Sequence, residues 1–263
     1  MTARRVHLVG IGAGSPEYLT QQAVTALNEV DVFLVADKGE ATDELVALRR
    51  AICDRFIDPT HPYRFVTVPD PERGPDAPRG TAAYEAGVRD WHAARASTYA
   101  GIVAGLPPGA VVGFLVWGDP AFYDSTIRVV DAISRLVDLE VTVVPGVSAF
   151  QALAAAHGVV LHAVGAPVHV TTGRRLVGEW RAARAAGLHL GTLVVMLDGH
   201  LTCRELAAEA PELVLRWGAY VGLPQQELRA GPLAEVIEEV VELRARLREQ
   251  HGWLMDVYTL SAD

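Results

Sequence analysis

Three apolar runs within the first 150 residues each stop at a glycine turn. Residues 6–9 run into Gly10-Ile11-Gly12-Ala13-Gly14-Ser15-Pro16, residues 111–116 into Trp117-Gly118-Asp119-Pro120, and residues 141–144 into Pro145-Gly146-Val147-Ser148. Runs this short and this apolar read as strands buried on both faces, the habit of parallel sheets covered by helices. Helical patterns separate them. Thr20 introduces one carrying Val24 and Leu27, residues 43–56 place Leu45, Leu48 and Ile52 on one stripe, and residues 81–106 and 126–136 supply two more. Strand alternating with helix predicts an open parallel α/β sheet. In such a sheet the turns after the strands share one edge, the edge where ligands bind. Any one of the three turns is ordinary turn chemistry, whereas three on one rim predict a single cleft lined with backbone amides and carbonyls.

The second half repeats the theme with residues 168–172, 191–197, 213–221 and 253–260 as strands. Helices are read at 203–209 and 233–248. The natural hinge lies near residues 158–167, so the reading is two α/β domains, 1–160 and 161–263. Residues 59–79, rich in Pro, Arg and Asp around a short strand-like 65–68, read as a long lid-like loop.

Composition narrows the function. The net charge of −9 lacks the basic footprint of a nucleic-acid or anionic-membrane binder. Two cysteines, Cys53 and Cys203, sit outside any C-x-x-C or Cys/His cluster, which argues against a structural zinc and fits a reducing cytoplasm. The histidines show no metal-ligand spacing, His157 and His162 being separated by a glycine turn. No apolar stretch reads as a transmembrane helix, because Pro145, Gly146, Gly158 and Pro167 punctuate the longest one. Of 23 basic residues all but Lys38 are arginine, so the surviving lysine beside Asp37, at the end of the second strand, is a candidate for a role. The first turn alone could also serve a nicotinamide dinucleotide, with Asp37 imitating its ribose-binding acid. A third glycine is missing from that pattern, Ser15 standing in its place.

The ordered set of Gly10-Ile11-Gly12-Ala13-Gly14-Ser15-Pro16-Glu17-Tyr18-Leu19-Thr20, Gly118-Asp119-Pro120-Ala121-Phe122-Tyr123 and Val144-Pro145-Gly146-Val147-Ser148-Ala149 resembles the signature of the tetrapyrrole (corrin/porphyrin) methylases. The resemblance runs over nearly the whole chain. It implies two α/β domains with S-adenosyl-L-methionine in the interdomain cleft, a homodimer, and a tetrapyrrole substrate. Ala36-Asp37-Lys38-Gly39-Glu40, Leu45-Val46-Ala47-Leu48-Arg49-Arg50 and Trp217-Gly218-Ala219-Tyr220-Val221-Gly222 most resemble the branch of cobalamin (corrin) biosynthesis that methylates precorrin-5 with loss of acetate. Other family substrates, another precorrin among them, remain the alternative.

By the resemblance the cofactor lies against Trp117, Gly118, Asp119 and Phe122, then Ser148 and Ala149, then Leu197, with Ala219, Tyr220 and Val221 completing the adenine pocket. Gly12, Ala13, Gly14, Tyr123 and Arg64 are expected on the substrate. Loss of acetate calls for a general base, for which Asp37 is the candidate and Lys38 its charge partner; a strand-end cap is the other reading of Asp37. Arg73, Arg79, Arg128, Arg174 and Arg175 are further candidates for the substrate carboxylates, since arginine pairs bidentately with them.

Overall fold

A computed structural model describes residues 3–37, 43–71 and 82–262. The chain divides into two compact units. One comprises residues 1–12 and 16–147, the other residues 13–15 and 148–263.

The first unit is a five-stranded sheet in the order β3-β2-β4-β1-β5. Its strands are β1 (Arg4–Gly10), β2 (Val32–Asp37), β3 (Arg64–Pro69), β4 (Val111–Val116) and β5 (Leu139–Val144), and every pairing is parallel. Helices α1 (Gln21–Leu27) and α2 (Asp43–Phe56) cover one face, where Ala23, Leu27, Ile52 and Cys53 pack on Val9, Ile11, Phe33 and Leu115. Helices α3 (Ala82–Gly105) and α4 (Thr126–Ser134) cover the other, with Tyr99, Val103, Val130 and Ile133 against Leu8, Leu34 and Phe114. Both faces of β4 are therefore buried, as its unbroken apolar run requires. Thr20 caps α1 through a bond from the Ala23 amide to its hydroxyl oxygen, 3.0 Å.

The expected lid resolves differently. Residues 64–69 are not loop but strand β3, paired with β2 along its whole length from Val32↔Arg64 to Asp37↔Pro69. Phe65 stacks on Phe33, which holds this strand to the sheet. Residues 72–79 of that segment, including Arg73 and Arg79, lie outside the described residues, as does Lys38.

The second unit is a mixed sheet in the order β6-β7-β10-β8-β9. It contains β6 (Val168–Thr172), β7 (Thr192–Met196), β8 (Leu213–Ala219), β9 (Glu227–Pro232) and β10 (Asp256–Ala262). Only β6 and β7 are parallel; β10 runs antiparallel between β7 and β8. Helices α5 (Ala149–His157), α6 (Gly173–Ala185) and α7 (Leu233–His251) complete it. In the second unit α5 packs on β8 and β10. Leu153 illustrates this, lying against Gly218, where an added Cβ would be 2.7 Å from its side chain.

Residues 203–209, expected as a helix, form only a 3-10 turn over Thr202–Leu206. Asp198 accounts for the tightening. Its carboxylate accepts from the Thr202 amide (2.7 Å), the Thr202 hydroxyl (2.9 Å) and the Tyr258 hydroxyl (2.6 Å). Nearby, Arg244 Nη2 donates to Asp256 Oδ1 (3.2 Å) and Trp217 donates to Asp256 Oδ2 (2.8 Å), so this buried carboxylate is paired and bonded as burial demands.

Candidate active site

The three glycine turns follow β1, β4 and β5, which are adjacent strands of one parallel sheet, so they stand side by side on its carboxyl edge. They are also tied to each other. Gly12 and Gly118 exchange backbone bonds, Gly12 N to Gly118 O at 3.2 Å and Gly118 N to Gly12 O at 2.8 Å. The Asp119 carboxylate then accepts from the Gly146 amide (2.9 Å) and the Ala121 amide (2.8 Å), joining the β4 turn to the β5 turn. Close approach explains the glycines. A Cβ on Gly146 would lie 2.2 Å from the Gly118 carbonyl oxygen, and one on Gly10 would lie 2.6 Å from the Gly146 nitrogen. Both obstacles are backbone, which no side-chain movement relieves.

Asp119→Asn should therefore loosen the rim. One carboxamide oxygen cannot accept both amides, and the –NH2 would face a donor. A loss of about 1–3 kcal/mol is expected, read as a lower melting temperature together with weaker cofactor binding by calorimetry.

Apolar rings crowd the same edge. Trp117 is half-buried, with its Nε1 sealed from solvent and without a hydrogen-bond partner among the described residues, while Phe122 is 37% and Tyr123 46% exposed. Tyr123 also adopts φ +53°, one of four non-glycine residues with positive φ among those described. Two of the others, Leu197 (φ +54°) and Tyr220 (φ +50°), were also singled out from sequence. Backbone in this region is costly for residues with a Cβ and recurs at ligand-holding positions. Leu197 is 68% exposed, whereas Ala219, Tyr220 and Val221 are buried. Ser148 is buried; its amide and hydroxyl both donate to Gln151 Oε1, at 2.9 and 2.7 Å, at the start of α5. Ala149 opens that helix. Gly12 belongs to the stitched rim, and Ala13 and Gly14 group with the second unit, where a Cβ on Gly14 would meet Leu223 at 3.0 Å.

Asp37 ends β2 and is exposed on this same carboxyl edge. Arg64 is not there. It begins β3, opposite Val32, and so lies at the amino edge, the far side of the sheet from the glycine turns. A cavity of about 570 Å³ at that edge is lined by Arg64, Asp31, Tyr63 and residues 106–110. Arg128 is exposed on α4. In the second unit Arg174 is exposed and Arg175 is bonded to Glu179 at 2.6 Å. Asp124 accepts from the Thr126 amide (2.6 Å), an Asx turn just ahead of α4, whose N-cap is Ser125.

One residue quoted from sequence without a role acquires one. Arg49, on α2, stacks its guanidinium 4.8 Å above the Trp117 ring. It donates from Nε to Leu115 O (3.3 Å) and from Nη1 to Leu45 O (3.2 Å). Burial pulls its pKa down to about 10, with the Asp124 carboxylate opposing, so it stays charged near neutrality. Nothing in the sequence marks it among so many arginines. Both cysteines, by contrast, are buried free thiols that burial pushes up to about 12, which removes them as nucleophiles.

A glycine-lined rim with exposed rings and backbone donors suits a flat heterocycle with a polar edge. The family model for Tetrapyrrole (Corrin/Porphyrin) Methylases matches residues 5–237. The chain belongs to this family. It is 38% identical over 260 residues to precorrin-6A synthase [deacetylating] of a Sinorhizobium species, covering 98% of this chain and 95% of the relative. Among solved structures it resembles the cobalamin synthesis related protein CobF of Corynebacterium diphtheriae, at TM-score 0.81 and 35% identity over 99% of both chains. The uroporphyrin-III C-methyltransferase of Thermus thermophilus, solved with S-adenosyl homocysteine, shares the fold at TM-score 0.58 and 22% identity, over 98% of this chain and 92% of that one. Tetrapyrrole methylases use S-adenosylmethionine. Among the described residues no helix is long and apolar enough to cross a membrane, and no group of three or more His, Cys, Asp or Glu is arranged to hold a metal.

Proposed function

We propose that this protein is an S-adenosylmethionine-dependent C-methyltransferase of cobalamin biosynthesis that methylates precorrin-5 and releases acetate, giving precorrin-6A. The observation that carries this reading is the similarity to the deacetylating synthase across almost the full length of both chains. The rim supports it. Trp117, Gly118, Asp119 and Phe122 offer a flat apolar wall beside backbone groups, the set that an adenosyl group needs. Ser148, Ala149, Leu197 and Ala219, Tyr220 and Val221 are assigned to the cofactor by the family resemblance.

When bound, the cofactor supplies an electrophilic methyl group on a sulfonium. What the chain must do is hold an electron-rich ring carbon in line with it, which is positioning catalysis. Loss of acetate is the step that needs a proton acceptor. Water adds to the acetyl carbonyl, the carbon–carbon bond to the macrocycle breaks, and the electron pair returns to the ring. Asp37, exposed on the carboxyl edge, is the base assigned to that water. The same reading places the enzyme in the cytoplasm as a homodimer.

The direct test is incubation with S-adenosylmethionine and precorrin-5, followed by mass analysis and acetate assay. One methyl gained, one acetyl lost and stoichiometric acetate are expected. A methylated product that retains its acetyl group, or methylation of a different precorrin only, would reassign the substrate within the family. Binding of NADH but not S-adenosylhomocysteine in calorimetry would overturn the cofactor assignment.

A further inference from the structure

Adjacent strands β2 and β4 leave the sheet in opposite directions. After β2 the chain passes through α2 outward to β3, and after β4 it passes through α4 across β1 to β5. Strands that part this way open a crevice at their carboxyl ends, the general ligand position of open parallel sheets. Here the parting is visible in the register. β2 and β4 pair only at Val32↔Val112 and Phe33↔Gly113, although β2 continues to Asp37 and β4 to Val116. The Leu115 carbonyl beyond that point is met by Arg49 instead of by β2.

Arg49 is held there with part of its charge unused. Two backbone carbonyls and the Trp117 ring fix the guanidinium plane, while Nη2 donates to no described residue. No ion pair joins Arg49 to a carboxylate among the described residues, although most other ion pairs of the chain use arginine. The Asp124 carboxylate favours its charge from beyond ion-pair distance, but a half-buried cation with no carboxylate bonded to it still favours an arriving anion. In a chain of net charge −9, such a fixed cation is the feature an acidic ligand would seek. Asp37 ends one wall of the crevice and Trp117 follows the other.

We propose that Arg49 is the anchor for a carboxylate of the substrate, received by Nη2 in the crevice between β2 and β4. This rests on the proposed tetrapyrrole substrate. It sets which part of the macrocycle lies near Asp37, because a stacked, doubly bonded guanidinium presents its remaining donors in one fixed direction. The cofactor's own carboxylate is the competing anion. Its assigned contacts in this unit lie on the β4 turn; Arg49 touches that turn at Trp117, but its Nε bonds the Leu115 carbonyl, where β4 no longer pairs with β2.

The test uses the full chain with S-adenosylmethionine and precorrin-5. Arg49→Met should raise the KM for precorrin-5 by about 50-fold, the scale of losing a charge-assisted contact. The change in kcat should be smaller, and the dissociation constant for S-adenosylmethionine should stay within about twofold. Arg49→Lys keeps a cation and most of the stem, and should recover part of the KM. Arg50→Met is the control; Arg50 is exposed over Phe65 and its loss should leave KM unchanged. If Arg49→Met fails to fold, Arg49→Lys decides alone: KM raised about tenfold with an unaltered melting temperature supports the anchor. A KM within threefold of wild type, or a loss confined to cofactor affinity, overturns it. Failure of the wild-type enzyme to turn over precorrin-5 would instead overturn the substrate assignment, so the two failures are separate.

Discussion

Gly146→Ala is expected to cost the enzyme its cofactor site. The new Cβ would stand 2.2 Å from the Gly118 carbonyl oxygen and 2.9 Å from the Gly10 carbonyl carbon, both backbone atoms of neighbouring turns. Neither can rotate away. The β5 turn must shift, and that shift draws the Gly146 amide off Asp119 Oδ2, the bond that joins it to the β4 turn. Overpacking alone costs about 1–3 kcal/mol, to which the orphaned amide adds about 1–3 kcal/mol. Affinity for S-adenosylhomocysteine should fall by about 100-fold or more, since small misplacements of a binding constellation have effects of that order. Calorimetry and thermal melting check both. Gly178→Ala provides the contrast: this helical glycine has nothing within 4 Å of an added Cβ, and there the change should stabilise by about 0.5–1 kcal/mol. Equal behaviour of the two variants, or an unchanged affinity in Gly146→Ala, would mean that the rim does not hold the cofactor.

That rim was legible in the sequence because its message is local. Each turn combines an apolar strand, a stop and a glycine, and the parallel alternation puts all three on one edge without any knowledge of the partner strands. Helix α2 was equally plain, its bounds following the Leu45, Leu48 and Ile52 stripe. What the sequence hid depends on who lies beside whom. Strand β9, Glu-Leu-Arg-Ala-Gly-Pro, has no apolar alternation because it is an edge strand; its backbone bonds to β8, while its side chains stay half-exposed or exposed. Residues 203–209 carry a helical pattern, but the Asp198 carboxylate takes the Thr202 amide and hydroxyl and tightens the turn. Arg64 looks like any loop arginine, and only the register of β3 shows that it stands at the wrong edge. The direction of β10, antiparallel between β7 and β8, leaves no mark on a run that would be as apolar if parallel. Arg49 is the extreme case. No carboxylate is bonded to it among the described residues, and such a lack has no sequence pattern.

The last expected result separates the two halves of the proposed reaction. Asp37→Asn keeps the shape of the side chain at the end of β2 and removes only its capacity to accept a proton. Methyl transfer asks no proton of the protein, because the sulfonium is already electrophilic and the macrocycle supplies the electrons. Acetyl loss does, since the attacking water must give one up. Acetate release should therefore fall by roughly 10²-fold or more, the usual worth of a general base, with cofactor affinity unchanged. Methylated material that still carries its acetyl group should accumulate, and mass analysis would detect it. If Asp37 were merely a strand-end cap, both products would form at near wild-type rates while the melting temperature dropped. The alternatives among neighbouring acids are already narrowed. Asp124 is spent on the Thr126 amide, and Asp198 lies buried beneath three hydrogen bonds from Thr202 and Tyr258. Both would have to give up those structural bonds to act as a base; Asp37 ends β2 exposed on the carboxyl edge, where β2 and β4 part.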